Sequence, residues 1–221
     1  MPSDSLSQAS LAAAAQHLAK RDKDLSLILR TYGPPPLWAR PQGFHTLLRI
    51  ILEQQVSLAS ADSMFQRLKR NIVPLTAERF LELGELHLKS LGLTRQKTAY
   101  CLHLSESLVE KRISLGRLAR MDDLNARASL MALKGIGPWS ADIYLLMALR
   151  RPDIWPSNDL ALTSAATRLK ALKRKPDSNQ LLKIAEGWRP YRSVAARMLW
   201  QYYLADARKR SLDPTSQSLK R

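Results

Sequence analysis

Two short segments contain residue types and spacings that could act on a polyanion. Residues 134–140, Lys-Gly-Ile-Gly-Pro-Trp-Ser, form a two-glycine turn that leads directly into a helix, and Asp159 follows about twenty residues later. Backbone N–H groups at a helix N-terminus attract anions, above all phosphate. A carboxylate close to such a surface would be repelled by phosphate unless it takes part in chemistry. The two segments therefore predict a phosphate-binding corner and one candidate catalytic carboxylate.

Helical patterns on both sides would position the two-glycine turn. An apolar stripe predicts a helix over residues 122–133, and Pro138 suits the first turn of a second helix over 138–150, where its missing N–H would have no partner anyway. Gly135 and Gly137 allow the tight turn between the helices. An ordinary corner between two packed helices would look the same, so the turn alone leaves its role open.

The charge of the chain favours a nucleic acid as the partner of this corner. The 221 residues include 35 Lys and Arg against 19 Asp and Glu, which gives a formal net charge of +16. A polyanionic partner is the simplest explanation of such an excess. No apolar run is long enough to cross a membrane and no secretory signal is visible, so we expect a soluble protein inside the cell, in the cytoplasm and nucleoid or in a nucleus.

Cysteine and histidine usage argues against a metal-dependent chemistry. Cys101 is the single cysteine, which excludes a cysteine-ligated iron–sulfur cluster or a structural zinc site. The four histidines show no metal-ligand spacing. We therefore expect no required cofactor.

The periodicity of the whole chain predicts an all-α fold. Period-two alternation rich in β-branched residues is nearly absent. Tyr32-Gly33-Pro34-Pro35-Pro36 interrupts the pattern and predicts a link between an N-terminal helix pair and the rest of the chain. The predicted helices cover residues 5–20, 22–31, 43–54, 58–71, 76–83, 95–112, 122–133, 138–150, 158–172, 178–187 and 190–207.

Aromatic and amide side chains could also contact a base, although each has a structural alternative. Gln54 and Gln55 follow an apolar helix, where amides either cap the helix or hydrogen-bond a base edge. Trp139 and Trp200 could stack on a base, and a cationic base would gain cation–π attraction, but a tryptophan is more often a core anchor. Arg192 and Ser193, at a helix start, suit phosphate contact, but each taken singly is better explained by packing.

A structural role is also open for Asp159. An acidic residue in the first turn of a helix, with Asn158 as the N-cap, stabilises the helix by roughly 0.5–1 kcal/mol. On that interpretation the chain would be a DNA-binding module without catalysis.

These residues together resemble the helix-hairpin-helix DNA glycosylase superfamily. Leu133 to Ala141, followed by Asp159, is similar to its hairpin and aspartate signature, and the branch that fits is that of the DNA-3-methyladenine glycosylases II. Three other blocks support the resemblance, which covers roughly residues 40–206: 54–57, 91–97 and 188–200.

The resemblance implies roles for individual residues. Asp159 matches the catalytic aspartate, and Trp139 stands where bifunctional relatives place a Schiff-base lysine. Gln55 occupies the position of the side chain that wedges into the duplex. The predicted base pocket contains Trp139, Trp200, Tyr191 and Gln54. The predicted DNA contacts are Gln55, Ser57, Lys134, Gly135, Gly137, Ser140, Arg192 and Ser193. The resemblance also implies that the carbonyls of Met131, Leu133 and Ile136 hold a Na⁺ or K⁺ ion. Ile143 replaces a pocket tyrosine of some relatives, so the base preference stays open.

The fold and activity implied by the resemblance are specific. We expect two helical subdomains with the active-site cleft between them, formed by a core over residues 41–207, with the hairpin at 122–150. Residues 1–40 would be a helical extension packed on that core, and residues 208–221 a disordered basic tail. The expected protein is a monomeric, monofunctional glycosylase that flips alkylated purines, chiefly 3-methyladenine, out of double-stranded DNA and hydrolyses their N-glycosidic bond during base excision repair. The alternatives are a non-catalytic DNA-binding protein and a glycosylase for deaminated or oxidised bases.

Overall fold

The fold consists of helices joined by turns and loops. The computed structural model describes the backbone of residues 5–212 and the side chains of residues 5–208, and this part of the chain contains no strand. The predicted all-α fold is confirmed. The helices are α1 (Gln8–Arg21), α2 (Lys23–Tyr32), α3 (Phe44–Glu53), α4 (Leu58–Asn71), α5 (Ala77–Ser90), α6 (Arg95–Val109), α7 (Leu115–Leu118), α8 (Asp123–Met131), α9 (Pro138–Met147), α10 (Leu160–Leu169), α11 (Ser178–Glu186) and α12 (Arg192–Leu212). None of these helices is long and apolar enough to cross a membrane.

The chain divides into two compact units that do not follow sequence order. Unit 1 is Ala39–Leu149 and contains α3 to α9. Unit 2 combines residues 5–38 with residues 150–212, so that α1 and α2 belong with α10, α11 and α12. The predicted extension and tail also include residues 1–4 and 213–221, which lie outside the described residues.

Unit 1 is built around α3. The leucines and isoleucines of α3 are buried, and the helix packs against α4, α6 and α9. Residues 140–146 of α9 are also buried, and the Tyr144 hydroxyl accepts the N–H of Gly43 at the start of α3 (3.1 Å). Helix α8 packs against α9, so the predicted helix-hairpin-helix is present and one of its helices is part of the core.

Unit 2 is built around α12. This helix packs against α1, α2, α10 and α11, and the buried leucines of α1 and α2 complete the core. A polar group, which we call the Asp22 cluster (Asp22, Asp24, Lys170 and Trp188), links α2 to the C-terminal part of the unit. Asp22 caps α2 and its Oδ2 accepts hydrogen bonds from Trp188 Nε1 (2.9 Å) and Lys170 Nζ (3.1 Å). Lys170 also pairs with Asp24 (2.9 Å).

Most helix limits agree with the periodicity to within a few residues, and the exceptions have local causes. Helix α5 continues to Ser90 because a kink at Gly84, with φ of 69°, joins two helical segments. The single-turn helix α7 is too short to show an apolar period. Helix α10 begins at Leu160 with Asp159 as its N-cap, so the alternative with Asn158 as N-cap was wrong; Asn158 has φ of 61°.

Candidate nucleic-acid interface and catalytic residues

The hairpin between α8 and α9 requires glycine at position 135. Gly135 has φ of 87°, a left-handed conformation that residues with a Cβ rarely adopt. A Cβ at this position would lie 2.3 Å from Cγ of Tyr100, so the tyrosine ring packs directly on the turn. Both the backbone conformation and the space therefore exclude a side chain.

The start of α9 differs from most other helix starts. Helices α3 and α9 begin at a glycine without a side-chain cap, whereas each of the other helices from α1 to α11 begins at a Ser, Thr or Asp whose side-chain oxygen accepts a backbone N–H. At α9 the N-cap is Gly137, which is exposed, and Pro138 follows it. An exposed helix start without a cap is suited to an external anion.

Gln54 ties the hairpin to the end of α3. Its Nε2 donates to the Gly135 carbonyl oxygen (2.8 Å) and to Ser140 Oγ (3.0 Å). Both hydrogen bonds are internal, so this amide nitrogen fixes the turn; a role of Gln54 in a base pocket stays a prediction. The Ser140 hydroxyl is occupied in the same way and the residue is buried.

An open groove of about 520 Å³ runs along the hairpin in unit 1. Its walls include Gln54 and Gln55, the side chains of Gln96, Lys97 and Tyr100, and residues 131–137. Most of the predicted hairpin contacts, including Lys134, Gly135 and Gly137, thus lie on one surface. Gln55 is exposed and has φ of 58°, and Ser57 beside it caps α4 by accepting the N–H of Ser60 (3.1 Å).

Lys97 was not identified as a site residue from the sequence, although it lies in the block of residues 91–97 that supports the resemblance. Its Nζ donates to the Leu52 carbonyl oxygen (2.6 Å) in the last turn of α3, where the helix dipole favours a cation. Burial lowers the pKa of Lys97, and the nearby Cys101 thiol acts in the opposite direction. No apolar or charge periodicity links Lys97 to Leu52, so only the tertiary structure shows that Lys97 binds the end of α3.

Two buried carboxylates of unit 1 are paired with arginines. Glu53 accepts two hydrogen bonds from Arg40 (2.9 and 3.0 Å) and one from Arg49 (3.1 Å). Asp142 in α9 accepts a hydrogen bond from Arg127 in α8 (2.7 Å). These pairs compensate buried charge and join the elements around the hairpin.

Asp159 is held at the start of α10 in unit 2. The residue is only 7% exposed. Its Oδ1 accepts the backbone N–H of Leu162 (2.8 Å) and the indole N–H of Trp200 (3.3 Å). The carboxylate is therefore fixed by a helix turn on one side and by a tryptophan of α12 on the other.

Three predicted contacts near the start of α12 have local structural partners. Ser193 is fully buried, and its hydroxyl accepts the N–H of Ile154 (2.9 Å) and donates to the carbonyl of the same residue (3.1 Å). The prediction that Ser193 contacts phosphate was wrong, because solvent does not reach it. The Arg192 guanidinium pairs with Asp153 (3.0 Å) and Glu186 (2.9 Å), and Tyr191 packs edge-on against His17.

A monovalent cation at the hairpin would be bound by backbone carbonyl oxygens, and the structure shows a free lone pair on one of them. Residues 5–208 contain no group of three His, Cys, Asp or Glu side chains that could hold a metal, so a cation here would depend on backbone oxygens. The Leu133 carbonyl accepts the N–H of Ile136 (3.0 Å), which closes the turn and leaves the second lone pair of that oxygen for a ligand. Met131 is 39% exposed, at the solvent side of the turn.

Comparison with known proteins identifies the family. Residues 48–190 match the model of the HhH-GPD superfamily base excision DNA repair proteins. A DNA-3-methyladenine glycosylase of Bacillus subtilis is 27% identical over 83% of the chain, and the alkylbase DNA glycosidase-like protein mag2 of Schizosaccharomyces pombe is 27% identical over 85% of the chain and 92% of its own length. The chain spans 64% and 65% of the lengths of the two Bacillus subtilis relatives it matches.

Solved structures show the same fold. The chain superposes with a TM-score of 0.78 on a DNA-3-methyladenine glycosidase from Bacillus halodurans, at 25% identity and with 89% of this chain and 91% of that chain covered. The TM-score is 0.76 for 3-methyladenine DNA glycosylase Mag1 of Schizosaccharomyces pombe in complex with abasic DNA, at 23% identity with 86% and 95% covered. The chain belongs to the HhH-GPD superfamily of base excision DNA repair proteins.

Proposed function

We propose that the protein is a monofunctional DNA glycosylase that removes alkylated purines from double-stranded DNA. The observation that supports this most is Asp159, a carboxylate fixed by Leu162 and Trp200 in a member of a base excision repair family. The names of the relatives favour 3-methyladenine as a substrate. The net charge of +16 favours DNA as the partner. The enzyme would act as a monomer, inside the cell.

The proposed reaction needs few catalytic groups beyond one carboxylate. Alkylation at N3 or N7 leaves the purine ring positively charged and its glycosidic bond weak, so the base departs with little or no general acid. The sugar then develops oxocarbenium character, which a carboxylate stabilises strongly in a dry site. Asp159 is suited to this role because it is largely buried and its position is fixed, and it could also orient the attacking water.

Two further features of the chain support a base-flipping enzyme. Trp139 and Trp200 are both half-buried residues with electron-rich rings. A cationic base would gain cation–π attraction from such rings. Gln55 would fill the gap that the extruded nucleotide leaves, at the exposed tip between α3 and α4.

The proposal of hydrolysis without strand cleavage rests on Trp139. An indole has no amine and cannot form a Schiff base with the sugar, so the product would be an intact abasic site. The hairpin would hold the DNA backbone through the N–H groups at the start of α9, and a Na⁺ or K⁺ ion at the carbonyls of Met131, Leu133 and Ile136 would add positive charge beside that phosphate.

The test is base release from alkylated duplex DNA by wild type and by Asp159→Asn. Asparagine still accepts the Leu162 N–H as an N-cap, so the fold is preserved while the negative charge is lost. We expect release to fall by about 100- to 1000-fold. Asp22→Asn is the matched control, because Asp22 also caps a helix and accepts an indole N–H, from Trp188.

The outcomes separate the candidate functions. A fall for Asp159→Asn with full activity of Asp22→Asn supports the proposal. Equal release by wild type and Asp159→Asn refutes the assigned role of the carboxylate. Salt-sensitive DNA binding with no release from any lesion would show a non-catalytic binding protein in which Asp159 serves only as the cap seen here. Release of deaminated or oxidised bases alone would correct the substrate class.

A further inference from the structure

Trp38 adopts a backbone conformation that requires an explanation. It follows closely on three consecutive prolines and has φ of 45°. A bulky residue with positive φ is rare, and such strain persists only where the surroundings enforce it, often at functional sites. The ring is half-buried, so burial of the indole alone does not account for the strain.

A buried arginine holds the backbone next to Trp38. Arg197 of α12 has no exposed surface, and its Nε donates to the Leu37 carbonyl oxygen (2.9 Å). Its Nη1 donates to the Ser193 carbonyl oxygen (3.1 Å). Burial lowers the pKa of Arg197 to about 10. A buried cation thus fixes the peptide that precedes Trp38.

The ring that Trp38 contacts is the one that holds Asp159. The Trp38 and Trp200 centroids are 6.4 Å apart at an interplanar angle of 66°, an edge-to-face contact. The Trp200 N–H lies 3.3 Å from Asp159 Oδ1, at the long end of the hydrogen-bond range. A small rotation of the Trp200 ring would break this hydrogen bond, whereas the Leu162 cap would remain.

We propose that Trp38 is a positioning residue for the glycosylase reaction, acting through Trp200. Its ring holds the Trp200 indole in the orientation in which the N–H donates to Asp159. The inference rests on the proposed function, since it assigns Trp38 to the same carboxylate. It adds a residue from before the family match, which begins at residue 48.

The experiment compares single-turnover release of alkylated purines from methylated duplex DNA, at saturating enzyme, with the dissociation constant for the same DNA. We expect Trp38→Ala to slow release by about 3- to 10-fold, the effect of one aromatic pair, and to leave DNA binding within about twofold of wild type. Trp38→Phe retains a ring for the edge-to-face contact and should recover most of the rate. A slower release by Trp38→Ala that Trp38→Phe restores, with no change in DNA affinity, is the result expected of a positioning residue.

The chain offers a matched control for the loss of an aromatic pair. Tyr32 and Tyr202 form another edge-to-face contact between the N-terminal segment and α12, with centroids 6.5 Å apart at 61°. Tyr32→Ala removes this contact without touching Trp200 or Asp159, and its release rate should equal that of wild type. An equal slowing by Tyr32→Ala and Trp38→Ala would overturn the inference, because general loosening of the unit would then explain both.

A double-mutant cycle tests whether Trp38 acts through Trp200. Trp200→Phe removes the N–H donor, so adding Trp38→Ala to it should slow release by less than about twofold further. Additive losses would overturn the proposal, as would wild-type rates for Trp38→Ala. If Trp38→Ala fails to fold, Trp38→Leu takes its place in the cycle. A wild type that releases no base refutes the proposed function itself, whereas an active wild type with an inert Trp38 overturns only this inference.

Discussion

The starts of α9 and α10 solve the same physical problem in opposite ways. Every helix start leaves backbone N–H groups without intrahelical partners. Helix α10 satisfies one of them, the N–H of Leu162, with Asp159, an anion supplied by the chain itself. Helix α9 begins at Gly137 with no side-chain cap. One start is therefore negative and already occupied, and the other is suited to an anion from outside.

This difference shows why a helix-capping carboxylate can also be a chemical group. Capping fixes an oxygen to within a narrow range of positions, which is what electrostatic catalysis requires. Asp22 has a similar cap and a similar indole donor, and its Oδ2 also accepts a hydrogen bond from Lys170. Under the proposed function only Asp159 of these two capping carboxylates acts on a substrate, so a cap by itself would not make a carboxylate catalytic.

The largest expected effect concerns the turn that leads into α9. We expect Gly135→Ala to cost about 1–2 kcal/mol of folding free energy for the left-handed backbone and about 1–3 kcal/mol more for the clash with Tyr100. Urea unfolding measures the total. Gly33→Ala is the control, because Gly33 has φ of 73° and a Cβ added there would have no atom within 4 Å, so only the backbone cost applies. Equal losses at the two glycines would contradict the tight fit of the tyrosine.

A cap transferred to α9 would make the two helix starts alike. Gly137 has an ordinary φ and open space around it, so Gly137→Asp can cap α9 without strain. We expect about tenfold weaker binding of undamaged duplex, roughly 1–2 kcal/mol, because the carboxylate occupies and repels the phosphate site. Fluorescence anisotropy across a salt series measures the affinity and its salt dependence.

The control for this variant adds the same charge elsewhere in unit 1. Gly116 is exposed and has open space, so Gly116→Asp should change duplex affinity much less. If both aspartates weaken binding equally, net charge explains the loss and the start of α9 is no special site.

The smallest expected effect concerns the negative charge of Asp22. Burial raises the pKa of Asp22, but hydrogen bonds from Trp188 and Lys170 outweigh burial, and the net pKa lies below the ordinary value of 3.8. Its stabilising contribution is thus present above pH 3.8 and is lost as the pH falls through the folded-state pKa. Asp22→Asn should lose about 0.5–1 kcal/mol at neutral pH. Urea unfolding at falling pH should show the two proteins converging; a constant difference would contradict the ionic role.

The sequence predicts the place of a residue whose type suits few conformations. It does not predict the contacts that a residue makes with distant parts of the chain. Gly135 and Pro138 have few alternatives in a turn and a first helical position, so the hairpin was located correctly. The prediction for Ser193 was wrong because a small hydroxyl at a helix start suits a phosphate and a buried carbonyl equally well. Trp38 gave no signal, since its partner Trp200 lies at the other end of the chain.

The order of the units along the chain has a consequence for how the protein is made. Unit 1 is continuous in sequence, whereas unit 2 is interrupted by it between residues 38 and 150. On a ribosome, unit 1 can fold as soon as it has emerged. Helices α1 and α2 are synthesised first, yet their apolar faces have no complete core until α12 follows. These two helices are made before unit 1, yet they reach their native packing only after it, and their leucines stay exposed until α12 is available.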